Sequence, residues 1–195
     1  MSVEPTFSLH ARDGGRLGVR PLDAGDAVAL RRFNAGLSAA TRSLFLPHAY
    51  DEITLARHIE RSRRGRDRAY LAFDEDGAVA GYAFLWEFDQ SVPLLGVGLA
   101  DSWQGRGLGE PLMQRLIDDA RTAGCAGIEL TTLPTNERAF RLYRRVGFES
   151  IGEVKNVAGD GRVVRELRMF LALRPGARPL EREFRPPEES PEDSP

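Results

Sequence analysis

The 195-residue sequence is poor in the residues that build disulfides and metal centres. It contains one cysteine and three histidines, so an internal disulfide is impossible and a Cys/His metal site is not expected. The single thiol, Cys125, stands between two small residues, which favours packing over reactivity. Such sparing use of cysteine is typical of a reducing compartment, and we expect a cytoplasmic protein.

The sequence also lacks a dominant charge and a long apolar run. Lysines and arginines number 27 against 29 acidic residues, for a formal net charge of -2, so no broad field favours nucleic acid or an anionic membrane. The uncharged apolar stretch at residues 78–86 is far short of the roughly 20 residues that a spanning helix needs. The first ten residues do not show the basic-then-apolar pattern of an export signal. We therefore expect neither nucleic acid nor membrane as a partner.

Prolines and acidic side chains are concentrated at the C-terminus. Six of the twelve prolines fall within residues 175–195, a composition that predicts a disordered Pro/Glu-rich tail. Residues 1–15 are also expected to be loose, which leaves one domain over residues 16–174. The tail is interpreted as a solvating extension; the alternative is a proline-rich docking segment of a scaffold protein.

Apolar periodicity between these ends alternates between that of strands and that of helices. An acidic turn at residues 74–77 favours a hairpin, and residues 37–50 are expected to form a loop or a short helical turn. This order predicts a mixed sheet with helices on its faces. The predicted strands are 17–20, 69–73, 79–88, 94–100, 128–133, 148–154 and 163–173, and the predicted helices are 26–36, 51–64, 107–123 and 136–146.

The segment Gln104-Gly105-Arg106-Gly107-Leu108-Gly109 lies between a predicted strand and a predicted helix. The first N–H groups of a helix lack internal partners and carry partial positive charge, and glycines let an anion approach the backbone. A mononucleotide P-loop would continue with Gly-Lys-Ser/Thr, and a dinucleotide fingerprint would need glycine where Glu110 stands. Two interpretations of this segment remain: a binding loop for another kind of phosphate ligand, or a plain glycine-rich turn without a ligand.

Two linked motifs carry a resemblance to a known family. Residues 104–109 are similar to the acyl-CoA loop of the GNAT superfamily of N-acetyltransferases, whose pattern is Arg/Gln-x-x-Gly-x-Gly/Ala. Residues 136–148 resemble the family's second half-motif at the family's spacing. Residues 101–103 depart from the family, which often has a proline there. The matching positions are Gln104, Gly107 and Gly109 in the first motif, and Asn136, Ala139, Tyr143, Gly147 and Phe148 in the second.

The resemblance implies an α/β fold whose mostly antiparallel sheet is splayed at a cofactor cleft, with helices on both faces. Acetyl-CoA would insert between strands 94–100 and 128–133. Gly96 and Gly98 indicate a bulge in the first of these strands or close approach by another backbone, and a bulge would fit this opening. Backbone N–H groups would bind the pantetheine arm and polarise the thioester carbonyl. The implied coenzyme-binding residues are Val97, Leu99, Gln104, Gly105, Arg106, Gly107, Leu108, Gly109 and Asn136.

Two residues are candidates for roles in catalysis, and a third is a candidate for coenzyme binding. The resemblance implies that Tyr143 protonates the departing CoA thiolate; its alternative is a core tyrosine. Glu87, at a strand end, is the candidate base for the amine, with a solvated acid or a water-mediated route as alternatives. Asn136 is either a helix cap or a coenzyme contact.

The sequence therefore predicts an enzyme that transfers an acetyl group from acetyl-CoA directly to a primary amine of a small molecule or protein. The alternative is a non-catalytic acyl-CoA-binding regulatory module. No motif identifies the acceptor, which residues 37–50 and 158–161 are expected to shape. A homodimer is frequent in the family, but no residue here indicates one.

Overall fold

One sheet of eight strands runs through residues 5–187, the part of the chain that this computed structural model describes. In chain order the strands are β1 (Phe7–His10), β2 (Arg16–Pro21), β3 (Arg68–Phe73), β4 (Val79–Trp86), β5 (Leu94–Leu99), β6 (Gly127–Thr132), β7 (Glu149–Val157) and β8 (Val163–Ala172). The helices are α1 (Ala27–Gly36), α2 (Ala39–Leu44), α3 (Glu52–Arg63), α4 (Gly109–Ala123) and α5 (Glu137–Val146). The strand order is β1-β2-β3-β4-β5-β6-β8-β7. Only β5 and β6 pair in parallel among these strands, so the predicted mixed, mostly antiparallel sheet is confirmed.

Both faces of the sheet are covered by helices, as predicted. Helix α4 buries Met113 and Leu116 in a cluster with β6 and β8, and Gly124 ends the helix at φ +80°. On the other face, Leu30 of α1 and Leu55 of α3 pack in a second cluster. The cleft described below lies between these two layers.

The sheet opens between its two parallel strands. β5 and β6 share a single register pair, Leu94 with Glu129, whereas β4 and β5 remain paired over six residues without a shift. The predicted bulge at Gly96 and Gly98 is therefore wrong. Each glycine instead admits an aromatic ring: a Cβ would stand 2.1 Å from Phe84 at position 96 and 2.4 Å from Phe45 at position 98.

The N-terminal segment is more ordered than its sequence predicted. Residues 7–10 form β1, which pairs with β2 over four residues, so the interpretation of residues 1–15 as loose is wrong for this part. The reason is burial of alternate side chains, since Leu9 lies in the core and Phe7 packs against it. Residues 1–4 lie outside the described part.

The start of the predicted tail is also ordered. Phe184 is buried in the cluster below β4 and β5, and its carbonyl accepts from the Val157 N–H at 3.1 Å. Arg182 pairs with Glu87 at 2.7 Å. An aromatic anchor and ion pairs thus hold residues 175–187 despite their disorder-like composition, and the prediction of disorder is wrong there. Residues 188–195 lie outside the described part.

Two histidines, His48 before α3 and His58 within it, are buried among aromatic rings. The rings of His48 and His58 lie 4.2 Å apart, and His58 stacks on Trp86 at 5.2 Å. His48 Nδ1 lies 2.6 Å from the Ala49 carbonyl oxygen, whereas its Nε2 and both His58 nitrogens have no hydrogen-bond partner in the described chain. Burial lowers the pKa of His48 to about 4 and holds the pKa of His58 well below its usual value.

Acid is expected to destabilise the fold through these histidines. Because their native pKa values lie below the unfolded value of about 6.5, the unfolded chain binds more protons, so the stability present above pH 6.5 is lost as the pH falls. Between pH 7 and pH 5 His48 alone accounts for about 2 kcal/mol, and His58 adds a loss of the same sign. Urea unfolding at both pH values measures the difference. A His58→Leu variant should show a smaller difference, and an undiminished one would contradict the assignment.

Candidate functional site

The opening in the sheet continues into a cleft of about 630 Å³. At one end lie the glycine-rich loop and the start of α5. At the other end are aromatic and aliphatic side chains, the β7–β8 turn and residues 184–186. Its dimensions and two unlike ends suit an elongated ligand that passes through the sheet and meets a second ligand.

Backbone donors of β5 point into this opening. The Ala100 N–H donates to β4 at 2.9 Å, and the Pro93 carbonyl accepts from the Glu129 N–H of β6 at 3.0 Å. Because successive peptide groups of a strand point to opposite edges, the N–H groups of Val97 and Leu99 face β6. The strands have diverged there, so these donors face the cleft.

The glycine-rich loop leaves several amides available at the start of α4. Gly105 and Gly107 have φ of +78° and +87°, a region that glycine enters without steric cost. No N–H of residues 105–108 donates to another described residue, and Leu108 gives the helix no side-chain cap. Unpaired amides at the positive end of a helix dipole are suited to binding an anion.

Gln104 and Arg106 hold this loop through their side chains. Gln104 Nε2 donates to the Leu99 carbonyl at 3.0 Å and to Thr41 Oγ1 at 3.2 Å. The Arg106 guanidinium pairs with Asp13 at 2.6 Å and lies over the Trp103 ring. Both side chains are thus engaged by the protein, and Arg106, unlike Gln104, is not among the residues that line the cleft.

Four arginines form a basic rim beside the loop, and the sequence analysis did not predict it. Arg12 and three arginines of α5 line this end of the cleft. The N–H of Arg12 donates to the Arg106 carbonyl at 3.0 Å, so the β1–β2 turn brings it in from far along the chain. The helical spacing of the α5 arginines was the available signal, whereas nothing local marked Arg12. The α5 members are Arg138, Arg141 and Arg145.

Helix α5 brings Tyr143 and Asn136 to the cleft wall. Tyr143 is 7% exposed and packs against Phe148, with ring centroids 6.2 Å apart. Burial raises the pKa of Tyr143, and the charge of Glu166 raises it further. Asn136 Oδ1 accepts from the Ala139 N–H at 3.2 Å, so Asn136 is the helix cap, and it also lines the cleft.

Glu87 does not reach the cleft. It lies beyond β4 at φ 54°, and its carboxylate accepts from Arg182 at 2.7 Å. It lines a smaller depression with Asp89 and Gln90 instead. The structure gives no support to Glu87 as a base acting in the cleft, because an ion pair holds it elsewhere.

The second end of the cleft is mostly aromatic and aliphatic, and Arg162 and Arg185 also line it. Phe45, Phe84 and Trp86 line it, together with Phe184 from the C-terminal segment. The Gly159 N–H donates to the Leu46 carbonyl at 2.9 Å, which joins the β7–β8 turn to the α2–α3 segment. Sequence reasoning placed both loops here but missed residues 184–186 and Glu166.

No helix within residues 5–187 has the length and apolar character to cross a bilayer.

Comparison with known proteins agrees with this geometry. The family model for the acetyltransferase (GNAT) family matches residues 36–148. The N-alpha-acetyltransferase RimI of Mycobacterium tuberculosis is 33% identical over 87 residues, which are 43% of this chain and 53% of that protein. Streptothricin acetyltransferase of Streptomyces lavendulae is 31% identical over 87 residues, 44% of this chain and 46% of that one. The chain spans about half the length of these curated relatives.

A solved structure extends the likeness to the whole fold. The yncA protein of Salmonella typhimurium, solved with its cofactor acetyl-CoA, superposes with a TM-score of 0.66 at 23% identity. The match covers 85% of this chain and 98% of that one. At this level of identity the likeness concerns the fold.

Proposed function

Because the chain belongs to the acetyltransferase (GNAT) family, we propose that it transfers an acetyl group from acetyl-CoA to a primary amine. The observation that carries the proposal is the splayed pair β5 and β6, with backbone donors in the gap and unpartnered amides at its mouth. No side-chain nucleophile is required, since the amine attacks the thioester directly. Cys125 is buried away from the cleft and has no part in the step.

The cleft fits the donor chemically. The amides of residues 105–109 would bind the diphosphate, and the arginine rim would offset its negative charge. Gly107 bears on the fit, because side chains rarely adopt its φ of +87° and a Cβ there would also stand 3.0 Å from Arg12 Nε. The loop conformation that presents these amides therefore favours a residue without a side chain at this point.

The reacting carbonyl would lie beside β5. The Val97 and Leu99 N–H groups would hold the pantetheine arm and stabilise negative charge on the carbonyl oxygen. Tyr143 lines the cleft and would give its proton to the departing sulfur. Its raised pKa makes the free phenolate costly, so the donated proton would have to be replaced promptly.

The acceptor is an amine of a small molecule or a protein. One relative is named for an α-amino acceptor and another for the antibiotic streptothricin, so the family alone does not choose between these classes. The apolar end of the cleft, with Phe45, Trp86 and Phe184, would receive an acceptor with an apolar part next to its amine.

Replacing Tyr143 with phenylalanine tests the proposed chemistry. We expect Tyr143→Phe to lower kcat by about 100-fold, the low end of the range for general acid catalysis, because only the proton donor is removed. Free thiol released from acetyl-CoA measures the rate over a panel of amines and peptides. Calorimetry with CoA should give an unchanged Kd, since the ring remains in place.

Tyr70→Phe is the matched control, because the Tyr70 hydroxyl bonds Asp119 at 2.6 Å outside the cleft. Its kcat should remain that of the wild type. Tight binding of CoA without thiol release for any amine would favour the regulatory module. Failure of the wild-type protein to bind CoA at all would refute both functions.

A further inference from the structure

Two acidic residues line the cleft in the part of the chain that the structure describes, and they lie at opposite ends. Glu110 stands in the first turn of α4, 3.9 Å from Arg145, at the end proposed for the coenzyme phosphates. Glu166 lies on β8 beside the mostly apolar end, which Arg162 and Arg185 also line, and is half-buried. Glu166 is therefore the carboxylate next to the space for the acceptor.

The sheet register places Glu166 level with the donors of β5. Continued beyond the single pair of Leu94 with Glu129, the register of β5 and β6 sets Val97 across the opening from Thr132. Thr132 pairs with Leu167, the residue after Glu166. Along the direction of the strands, Glu166 thus lies near the level at which the Val97 N–H would bind the thioester carbonyl.

Glu166 and Tyr143 approach this height from opposite faces of the sheet. Tyr143 belongs to the cluster under α4 that also contains Met169. Glu166 shares the other face with Arg168, two residues on, whose guanidinium lies over the Phe184 ring at 5.0 Å. Burial raises the pKa of Tyr143, and the Glu166 charge raises it further, so the two groups are close enough to interact electrostatically.

A polar side chain holds the Glu166 carboxylate in place. Asn156 Nδ2 donates to Glu166 Oε2 at 2.6 Å and to Thr131 Oγ1 at 3.2 Å. The second oxygen, Oε1, has no hydrogen-bond partner among the described residues. One oxygen is fixed by Asn156, and the other has no protein partner and can bind a ligand.

We infer that Glu166 binds the ammonium group of the acceptor and removes its proton, with Asn156 as a positioning residue. The inference rests on the proposed acetyl transfer. Glu166 takes one proton from the ammonium and passes it to water, and the neutral nitrogen forms the N–C bond while the C–S bond breaks. The sulfur takes the Tyr143 proton, and the second proton leaving the nitrogen returns to Tyr143 through water, so charge and atoms balance.

The test compares two amines that differ in charge. Benzylamine is strongly basic and protonated at neutral pH, whereas aniline is weakly basic and largely uncharged there; both carry an aromatic ring that suits the apolar end. Glu166→Gln is expected to lower kcat/KM for benzylamine by about 100-fold and to leave aniline within about 3-fold of the wild type, since aniline needs no deprotonation before attack. Asn156→Ala should show the same contrast in weaker form.

Glu153→Gln is the matched control, because Glu153 lies on β7, exposed and paired with Arg165. It should leave both amines unaffected. Equal loss for both amines in Glu166→Gln, or no loss for benzylamine, would overturn the inference while the proposed function stands. Absence of thiol release from wild-type protein with both amines would contradict the proposed function and the inference with it. CoA affinity measured on every variant shows whether the donor site is intact.

Discussion

Gly107→Val is expected to weaken CoA binding by at least about 1,000-fold, through loss of three or more charge-assisted hydrogen bonds. Gly107 has φ +87°, and a Cβ there would stand 3.0 Å from Arg12 Nε. A β-branched residue is strained at this φ, so the loop must move and its amides can no longer converge on one anion. Calorimetry with CoA measures the loss.

Gly65→Val separates this effect from general strain. Gly65 has φ +75° in the turn between α3 and β3, with open space around its missing Cβ and no place in the cleft lining. Both variants should lose stability to a similar degree because both force a branched residue into the left-handed region. Only Gly107→Val should lose affinity for CoA. If that variant bound CoA as tightly as the wild type, the proposed binding of the diphosphate by the loop amides would be wrong.

The same loop shows which features the sequence could predict. Residues 104–109 act through their own main chain and through the helix that follows, so adjacent residues suffice to identify an anion site. The strands and helices around it likewise follow from local periodicity, and their predicted positions agree with the structure to within a few residues. The predicted roles of these residues in binding and catalysis remain to be tested.

What the sequence did not predict depends on contacts between distant segments. Arg12 reaches the loop only because β1 pairs with β2, and Glu166 meets the cleft only because β8 lies beside β6. Glu87 was chosen for its position next to a strand end, but Arg182, 95 residues away, binds its carboxylate. Composition likewise could not show that Phe184 is buried, since burial depends on a site built by other strands.

Glu129→Ala is expected to lower the free energy of unfolding by about 4 kcal/mol, the cost of leaving buried charge without its partner. Glu129 on β6 is fully buried, and its carboxylate binds Arg168 and, at 3.2 Å, Arg182. Burial raises the pKa of Glu129, while the two guanidinium groups favour its charged form. Removing the carboxylate leaves two mostly buried cations facing each other, so the cost exceeds that of a surface pair.

Urea unfolding of Glu129→Ala against Glu153→Ala measures that excess. Glu153 pairs with Arg165 at 3.1 Å, but both side chains are exposed, and such pairs contribute about 0–1 kcal/mol. Similar losses in the two variants would mean that the buried network contributes no more than a surface pair.

The same variant is expected to affect the acceptor end of the cleft. Arg182 also binds the Val92 carbonyl and Glu87, so the loss of the Glu129 carboxylate should loosen residues 182–186. Because Phe184 lines the acceptor end, Glu129→Ala should raise the KM for the amine more than the KM for acetyl-CoA.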